Sequence, residues 1–240
     1  MRIAVLSDIH SNLVALEAVL DHAGAIDRVW HLGDIVGYGP DPDGVVARLA
    51  DVTAVGVRGN HDAAALGGDE IEHFNPEARA AMEWTRGTIS ATTRAWLAAL
   101  PERRTEGDMT LVHGSPRDPT WEYLTTASAA RGSFAALATA HGLNGHTHVP
   151  AAFTLEADRI VLLRPHDGES LSLAGTRVLL NQGSVGQPRD GDPAASYLIL
   201  DPEREVATWH RVAYDIGAVQ AAMHDVGLPP RLAARLSHGL

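Results

Sequence analysis

The segment GHTH at 145–148 sets two imidazoles one residue apart, and it is one of several places where metal-binding side chains gather at the ends of apolar runs. Asp8 and His10 follow RIAVLS, Asp34 follows RVWHLG, Asn60 with His61 and Asp62 follows TAVGVRG, and His113 follows MTLV. Alternate side chains of an extended segment share a face, so Asp8 with His10 and His146 with His148 are two expected claws. Singly, Asp8 and Asn60 read as ordinary turn residues; together with the histidines they read as ligands. The chain has no cysteine and thirteen histidines, so a metal must be held by nitrogen and oxygen. That donor set suits manganese first, with iron, zinc or nickel as alternatives, rather than calcium, which takes all-oxygen shells.

Two such cations with an aspartate between them lower the pKa of a shared water from about 15.7 toward roughly 7 and offset charge on phosphoryl oxygens. Hydrolysis of a phosphate ester at neutral pH is the chemistry this allows. The overall charge fits a small substrate. With 19 basic and 30 acidic residues the formal net charge is -11, which repels long nucleic acids, because they are held by clustered Lys and Arg. A small phosphate ester then needs a local source of positive charge, which the cations supply. No run of about 18 apolar residues marks a membrane span, and MRIAVLSDIH reaches an aspartate where a signal peptide stays apolar. A cytoplasmic protein with no membrane partner is expected.

The elements that must position these groups follow from periodicity. RIAVLSD (2–8) reads as a buried strand, and Asn12 caps a helix with Leu13, Leu16, Val19 and Leu20 at helical spacing and Gly24 as its stop. RVWHLGD (28–34) reads as a second strand running into the glycine-rich GDIVGYGPDPDG, followed by a helix near 43–50 and a third strand, TAVGVRGN (53–60). Asn75-Pro76-Glu77 and Ser90 open two helices, the second stopped by Pro101. Further strands are expected at MTLVHG, GLNGHTH, RIVLLRP, TRVLLN, SYLILD and EVATWHRV, with a helix near 127–138 and tail helices at 215–226 and 229–237. Parallel βαβ units early and hairpins late predict two packed mixed sheets with helices outside. A single domain spanning 1–240 is expected, with a helical segment about 64–100 beside the site and a helical tail about 215–240.

The ordered blocks DIH, GD, GNHD, VHGSP and GHTH, from residue 8 to residue 148, resemble the calcineurin-like metallophosphoesterase superfamily. The resemblance implies a four-layer αββα sandwich with a dinuclear site at the strand ends. It implies Asp8, His10 and His148 as ligands of one metal, Asn60, His113 and His146 as ligands of the other, and Asp34 bridging. His61 is implied as the group that steadies the transition state or protonates the leaving oxygen. Attack would come from the hydroxide that bridges the metals, without a covalent phosphoenzyme.

The departures are informative too. Protein phosphatases of the superfamily read GDxVDRG, where the later Asp orients the catalytic His and the Arg grips phosphate. This chain reads GDIVGYG, with Gly37 and Tyr38 in those places. Together with NQGSVGQPRD beyond GHTH, the pattern is similar to the small prokaryotic phosphodiesterase branch. Phosphodiester hydrolysis is the expected activity, with phosphomonoester or dinucleoside polyphosphate hydrolysis and a non-catalytic protein-binding scaffold as alternatives; a nuclease would need a basic groove. Tyr38 and Arg189 are candidate substrate contacts, and the segment 64–90, with His73, Phe74 and Trp84, either overhangs the site or packs as an amphipathic helix. Asp62 either positions His61 or starts a helix. GSVG at 183–186 reads as a tight turn rather than a phosphate loop, because it lacks the P-loop lysine. His31 reads as a packed, hydrogen-bonded histidine, and His22, His141, His166, His210, His224 and His238 as surface or structural.

Overall fold

Ile3, Ala4, Val5 and Leu6 are all closed to solvent, so the first strand needs a covering layer on each face. Ala4 and Leu6 pack on one side against helix residues such as Leu16, Val19, Val45 and Leu49. Ile3 and Val5 pack on the other against Leu111, Leu143, Val178 and Leu180, which come from a second sheet. The period of two therefore assigns successive residues of one strand to two different cores.

The computed structural model of the chain describes every residue except 53, and the side chains of all but 53, 69 and 70. In chain order the elements are β1 (Ile3–Leu6), α1 (Leu13–Ala23), β2 (Arg28–His31), α2 (Pro42–Asp51), β3 (Val55–Gly56), α3 (Asn60–Ala65), a 3-10 turn (Asp69–His73), α4 (Pro76–Thr88), α5 (Ala91–Ala98), β4 (Arg103–Glu106) and β5 (Met109–Val112). They continue as α6 (Ala127–Ala136), β6 (His141–Asn144), β7 (Ala151–Glu156), β8 (Arg159–Leu163), β9 (Ser170–Ser172), β10 (Arg177–Asn181), β11 (Ala195–Asp201), β12 (Val206–Val212), α7 (Ile216–Asp225) and α8 (Pro230–Leu236). Two six-stranded sheets result, in the orders β3-β2-β1-β11-β12-β9 and β4-β5-β6-β10-β7-β8. Both are mixed: β1 runs parallel to β2 and antiparallel to β11, and β10 runs parallel to β6 and antiparallel to β7. Phe134 of α6 packs on Phe153 and Leu179 and covers the outer face of the second sheet. The layers are thus helix, sheet, sheet, helix, as expected.

The helix starts are those the sequence marks. Asn12, Asn75 and Ser90 each accept a hydrogen bond from the backbone N–H three residues on, and Gly24 closes α1 at φ 62°. The predicted third strand is corrected: its start at Thr53 lies outside the described residues, only Val55–Gly56 is strand, and Asn60 opens α3. Three strands carry no clear sequence signal. Edge strand β4 is polar, β9 has three residues, and β7 begins with two alanines, which favour strands weakly. Among the described residues no helix is long and apolar enough to cross a membrane.

Candidate metal centre

The C-terminal ends of parallel β1 and β2 and of parallel β5 and β6 deliver four of the five blocks to one place; the fifth opens α3. The expected extended claws are not what converges there. Asp8, His10, Asp34, His146 and His148 all have positive φ, between 49° and 65°, where an L residue is strained by roughly 1–3 kcal/mol. Asp and His tolerate this better than most. The left-handed turns are locked by hydrogen bonds between loops: Asp8 N–H to Gly33 O (3.0 Å), His10 N–H to Asp34 O (3.0 Å) and Gly186 N–H to Asp8 O (2.9 Å).

All seven expected ligands meet. Asp8, His10, Asp34 and His148 form one group and Asp34, His113 and His146 a second, with donor atoms in each within 4.8 Å of one another. Asp34 belongs to both. Asn60 Oδ1 lies 3.0 Å from His113 Nε2, so it joins the second group. The seven side chains are buried.

The imidazoles are oriented from behind. Nδ1 of His10 donates to Val36 O (3.2 Å), Nδ1 of His113 to Leu32 O (2.8 Å) and Nδ1 of His148 to Gln187 O (2.6 Å). A carbonyl only accepts, so each Nδ1 carries the proton. In neutral rings the Nε2 lone pairs then face inward, and those of His10 and His148 face each other at 3.2 Å. Two lone pairs at that distance repel unless a cation sits between them, so the donor set fits a divalent metal. Asp8 Oδ1 and His146 Nε2 are buried without a hydrogen-bond partner among the described residues, which points the same way.

The electrostatics follow from burial. Desolvation opposes the charge of Asp8 and Asp34, yet His148 and His113 beside them hold both carboxyls below the usual range. Burial works against protonated His113 as well, but the Asp34 carboxylate raises it to about 9. Burial lowers His61 to about 4 and His146 to about 3, and it lowers His10 and His148. Desolvation and the charge of Asp34 push Asp62 up to about 7.

Asp62 does not position His61. Its Oδ1 accepts from Ile35 N–H (2.8 Å) and Val36 N–H (3.1 Å), and its Oδ2 from Gly59 N–H (3.0 Å), so it serves the start of α3 and ties it to the Asp34 loop. His31 is packed beside Trp96, with ring centres 5.4 Å apart, but neither ring nitrogen has a hydrogen-bond partner among the described residues, contrary to expectation. GSVG is a turn that also joins two parts of the centre. Ser184 Oγ donates to Asp8 O (2.8 Å) and accepts from Gln187 N–H (2.8 Å), tying the Asp8 loop to the segment whose carbonyl holds His148.

Beside the cluster lies a cleft of about 850 Å³ lined by Tyr38, Asn60, His61, His73, Phe74, Asn75, Ala78, Trp121, Tyr123 and Arg189. Phe74 lies 4.5 Å from the His61 ring, so the segment 64–90 does border the site, whereas Trp84 packs against the C-terminal helices. Trp121 and Tyr123 are lining residues that sequence reasoning misses. Two aromatics in the proline-bounded loop SPRDPTWEYL are the available signal.

The calcineurin-like phosphoesterase superfamily domain matches residues 1–205. The chain belongs to that superfamily. An uncharacterized protein of Methanocaldococcus jannaschii is 35% identical over 247 residues, covering 99% of this chain and 98% of the relative. The crystal structure of a metallophosphoesterase from Sphaerobacter thermophilus superposes with a TM-score of 0.93 at 46% identity, covering 100% of this chain and 99% of that one. A symmetrical bis(5'-nucleosyl)-tetraphosphatase of Aromatoleum aromaticum is 31% identical over 123 residues, 47% of this chain and 44% of the relative. Superfamily members are phosphoesterases that use divalent metals, and the buried donor cluster is where this chain has candidate ligands.

Proposed function

We propose that the chain is a dinuclear-metal-dependent phosphodiesterase acting on small phosphodiesters or nucleotides, with manganese as the first-choice metal and iron, zinc or nickel as alternatives. The observation that carries the reading is Asp34: one carboxylate shared by two groups of inward-facing donors. Asp8, His10 and His148 would hold one ion, Asn60, His113 and His146 the other, with Asp34 common to both. Two bound cations supply a water acidified toward neutral pH and offset charge on the phosphoryl oxygens.

The chain's own groups do the rest. In the reaction a water oxygen bonds to phosphorus, the bond to the leaving oxygen breaks, and that oxygen takes a proton. His61, on the cleft wall beside Asn60, supports this last step as a hydrogen-bond or proton donor. The three carbonyls behind His10, His113 and His148 fix the rings before substrate arrives, so little reorganisation remains. With a net charge of -11 the reading takes a small phosphate ester as partner and no long nucleic acid; a cytoplasmic location belongs to it. Dinucleoside polyphosphate hydrolysis is the second reading, favoured by the partial match to the tetraphosphatase.

The test is a panel of bis-p-nitrophenyl phosphate, cyclic nucleotides, dinucleoside polyphosphates and monoesters against manganese, iron, zinc and nickel. Diester turnover that needs metal and vanishes in Asp34→Asn is expected, and reaction in oxygen-18 water should label the phosphoryl product. No turnover with any metal would overturn the reading in favour of a binding scaffold.

A further inference from the structure

The cleft beside the metal centre has two chemically distinct parts. One is cationic. Arg189 is half-buried, its Nε is closed to solvent without a partner, its Nη2 donates to Gln187 Oε1 (2.8 Å), and it meets no carboxylate among the described residues. Its guanidinium stands 5.7 Å over the Tyr38 ring, and its backbone N–H donates to His148 O (3.2 Å), which fixes it beside the cluster. In a chain of net charge -11 an arginine left unpaired at such a place is a ready anion anchor.

The other part is aromatic. Phe74 and Trp121 meet at 6.4 Å and 62°, and Tyr123 lies 3.9 Å from the His146 ring while 53% exposed. An exposed tyrosine and a half-buried tryptophan, both lining the cleft beside the donor cluster, offer π faces to an incoming ring.

We propose that this cleft binds a nucleotide-like substrate in two pieces: Trp121 and Tyr123 stack against a planar base, and Arg189 grips the phosphate attached to its sugar. The proposal rests on the phosphoesterase reading of the centre and narrows it to esters that carry a nucleobase. The volume of about 850 Å³ suits it, since sites for ligands of this size run to roughly 300–1,000 Å³.

The test reads binding rather than turnover. The manganese-loaded protein is titrated calorimetrically with the phosphonate analogue of AMP, in which carbon replaces the bridging oxygen, and with the same sugar phosphonate lacking the base. The base should tighten binding by about ten-fold or more, the range expected of base–aromatic stacking. Trp121→Ala should reduce that preference to about two-fold or less, and Tyr123→Ala, at an exposed position, should reduce it in part. Arg189→Gln should weaken both ligands by the same factor and keep the preference. Equal binding of the two ligands by the unaltered protein, or a base preference that survives both aromatic substitutions, would overturn the proposal. A protein that hydrolyses no ester yet shows this binding pattern would sink only the phosphoesterase reading. One that hydrolyses esters without a base preference would sink only the cleft.

Discussion

Gly37 stands directly against His61: a Cβ at Gly37 would come within 2.6 Å of Nδ1, and that buried nitrogen has no hydrogen-bond partner among the described residues. The position where related phosphatases carry an orienting aspartate is thus occupied by a glycine at φ 91°, and no side chain there can hold the ring. Packing holds it instead. Tyr38 and Phe74 lie with ring centres 4.5 Å from His61, and His10 contributes an edge at 4.8 Å.

Phe74→Ala is therefore expected to lower kcat by about ten-fold or more, a part of the roughly 100- to 10,000-fold that proton transfer by a positioned side chain contributes. KM for a small alkyl diester, which brings no ring to the aromatic part of the cleft, should change by less than about three-fold, because the donor cluster and Arg189 are untouched. Phe74→Tyr, which keeps the stacked face, should restore most of the rate. Steady-state kinetics on an alkyl diester such as glycerophosphoethanolamine, whose leaving oxygen needs a proton, decide the point; an unchanged kcat in Phe74→Ala would mean that another contact orients His61.

The candidate ligands are legible because carboxylates and histidines recur together at successive strand ends and because five blocks stand in order. Their local geometry is not. Alternation along an extended chain expects Asp8 with His10 and His146 with His148; the left-handed turns do bring Asp8 and His10 into one group, but they send His146 and His148 into different ones. Asn60 reads as the end of a strand although it opens a helix, because VGVRGN is apolar and short and carries no period that separates strand from turn. The carbonyls of Val36, Leu32 and Gln187 have no sequence signature at all, since any residue supplies a backbone oxygen.

Gly59 shows how closely the centre is fitted. A Cβ there would lie 2.1 Å from Asp34 Oδ1 and 2.4 Å from Asp34 N, while its φ of -95° suits any residue. Gly59→Ala should fold, yet displace the shared carboxylate. Metal content measured by atomic emission after dialysis should drop by about half or more, and activity by about 100-fold, the scale on which loss of supporting contacts weakens such sites. Full metal content with full activity would show that the Asp34 loop yields without cost.

Metal should also be a structural ligand. The centre buries three imidazole–carbonyl hydrogen bonds and facing Nε2 atoms at 3.2 Å, a repulsive arrangement when empty. Manganese at about 100 times its Kd adds roughly 2.7 kcal/mol to stability, which for a chain of this size is about 5–10 °C in Tm. Differential scanning calorimetry with and without a chelator checks it, and equal Tm values would argue against occupation of the cluster.

His31 supplies a pH dependence separate from the centre. Burial lowers its pKa from 6.5 to about 3, so it is neutral when folded and takes a proton on unfolding below pH 6.5. Stability is then lost as pH falls below 6.5, and the loss grows until the folded pKa near 3 is reached. At pH 5 the cost is about 2 kcal/mol, from 1.36 kcal/mol per pKa unit. His31→Leu removes that burden and leaves no buried nitrogen unpaired, while Trp96 keeps an apolar neighbour. Urea unfolding should find the variant within about 1 kcal/mol of the parent at pH 8 and about 2 kcal/mol better placed, relative to that difference, at pH 5. Parallel stability curves from pH 8 to pH 5 would mean that His31 accepts its proton in the folded protein as readily as in the unfolded chain.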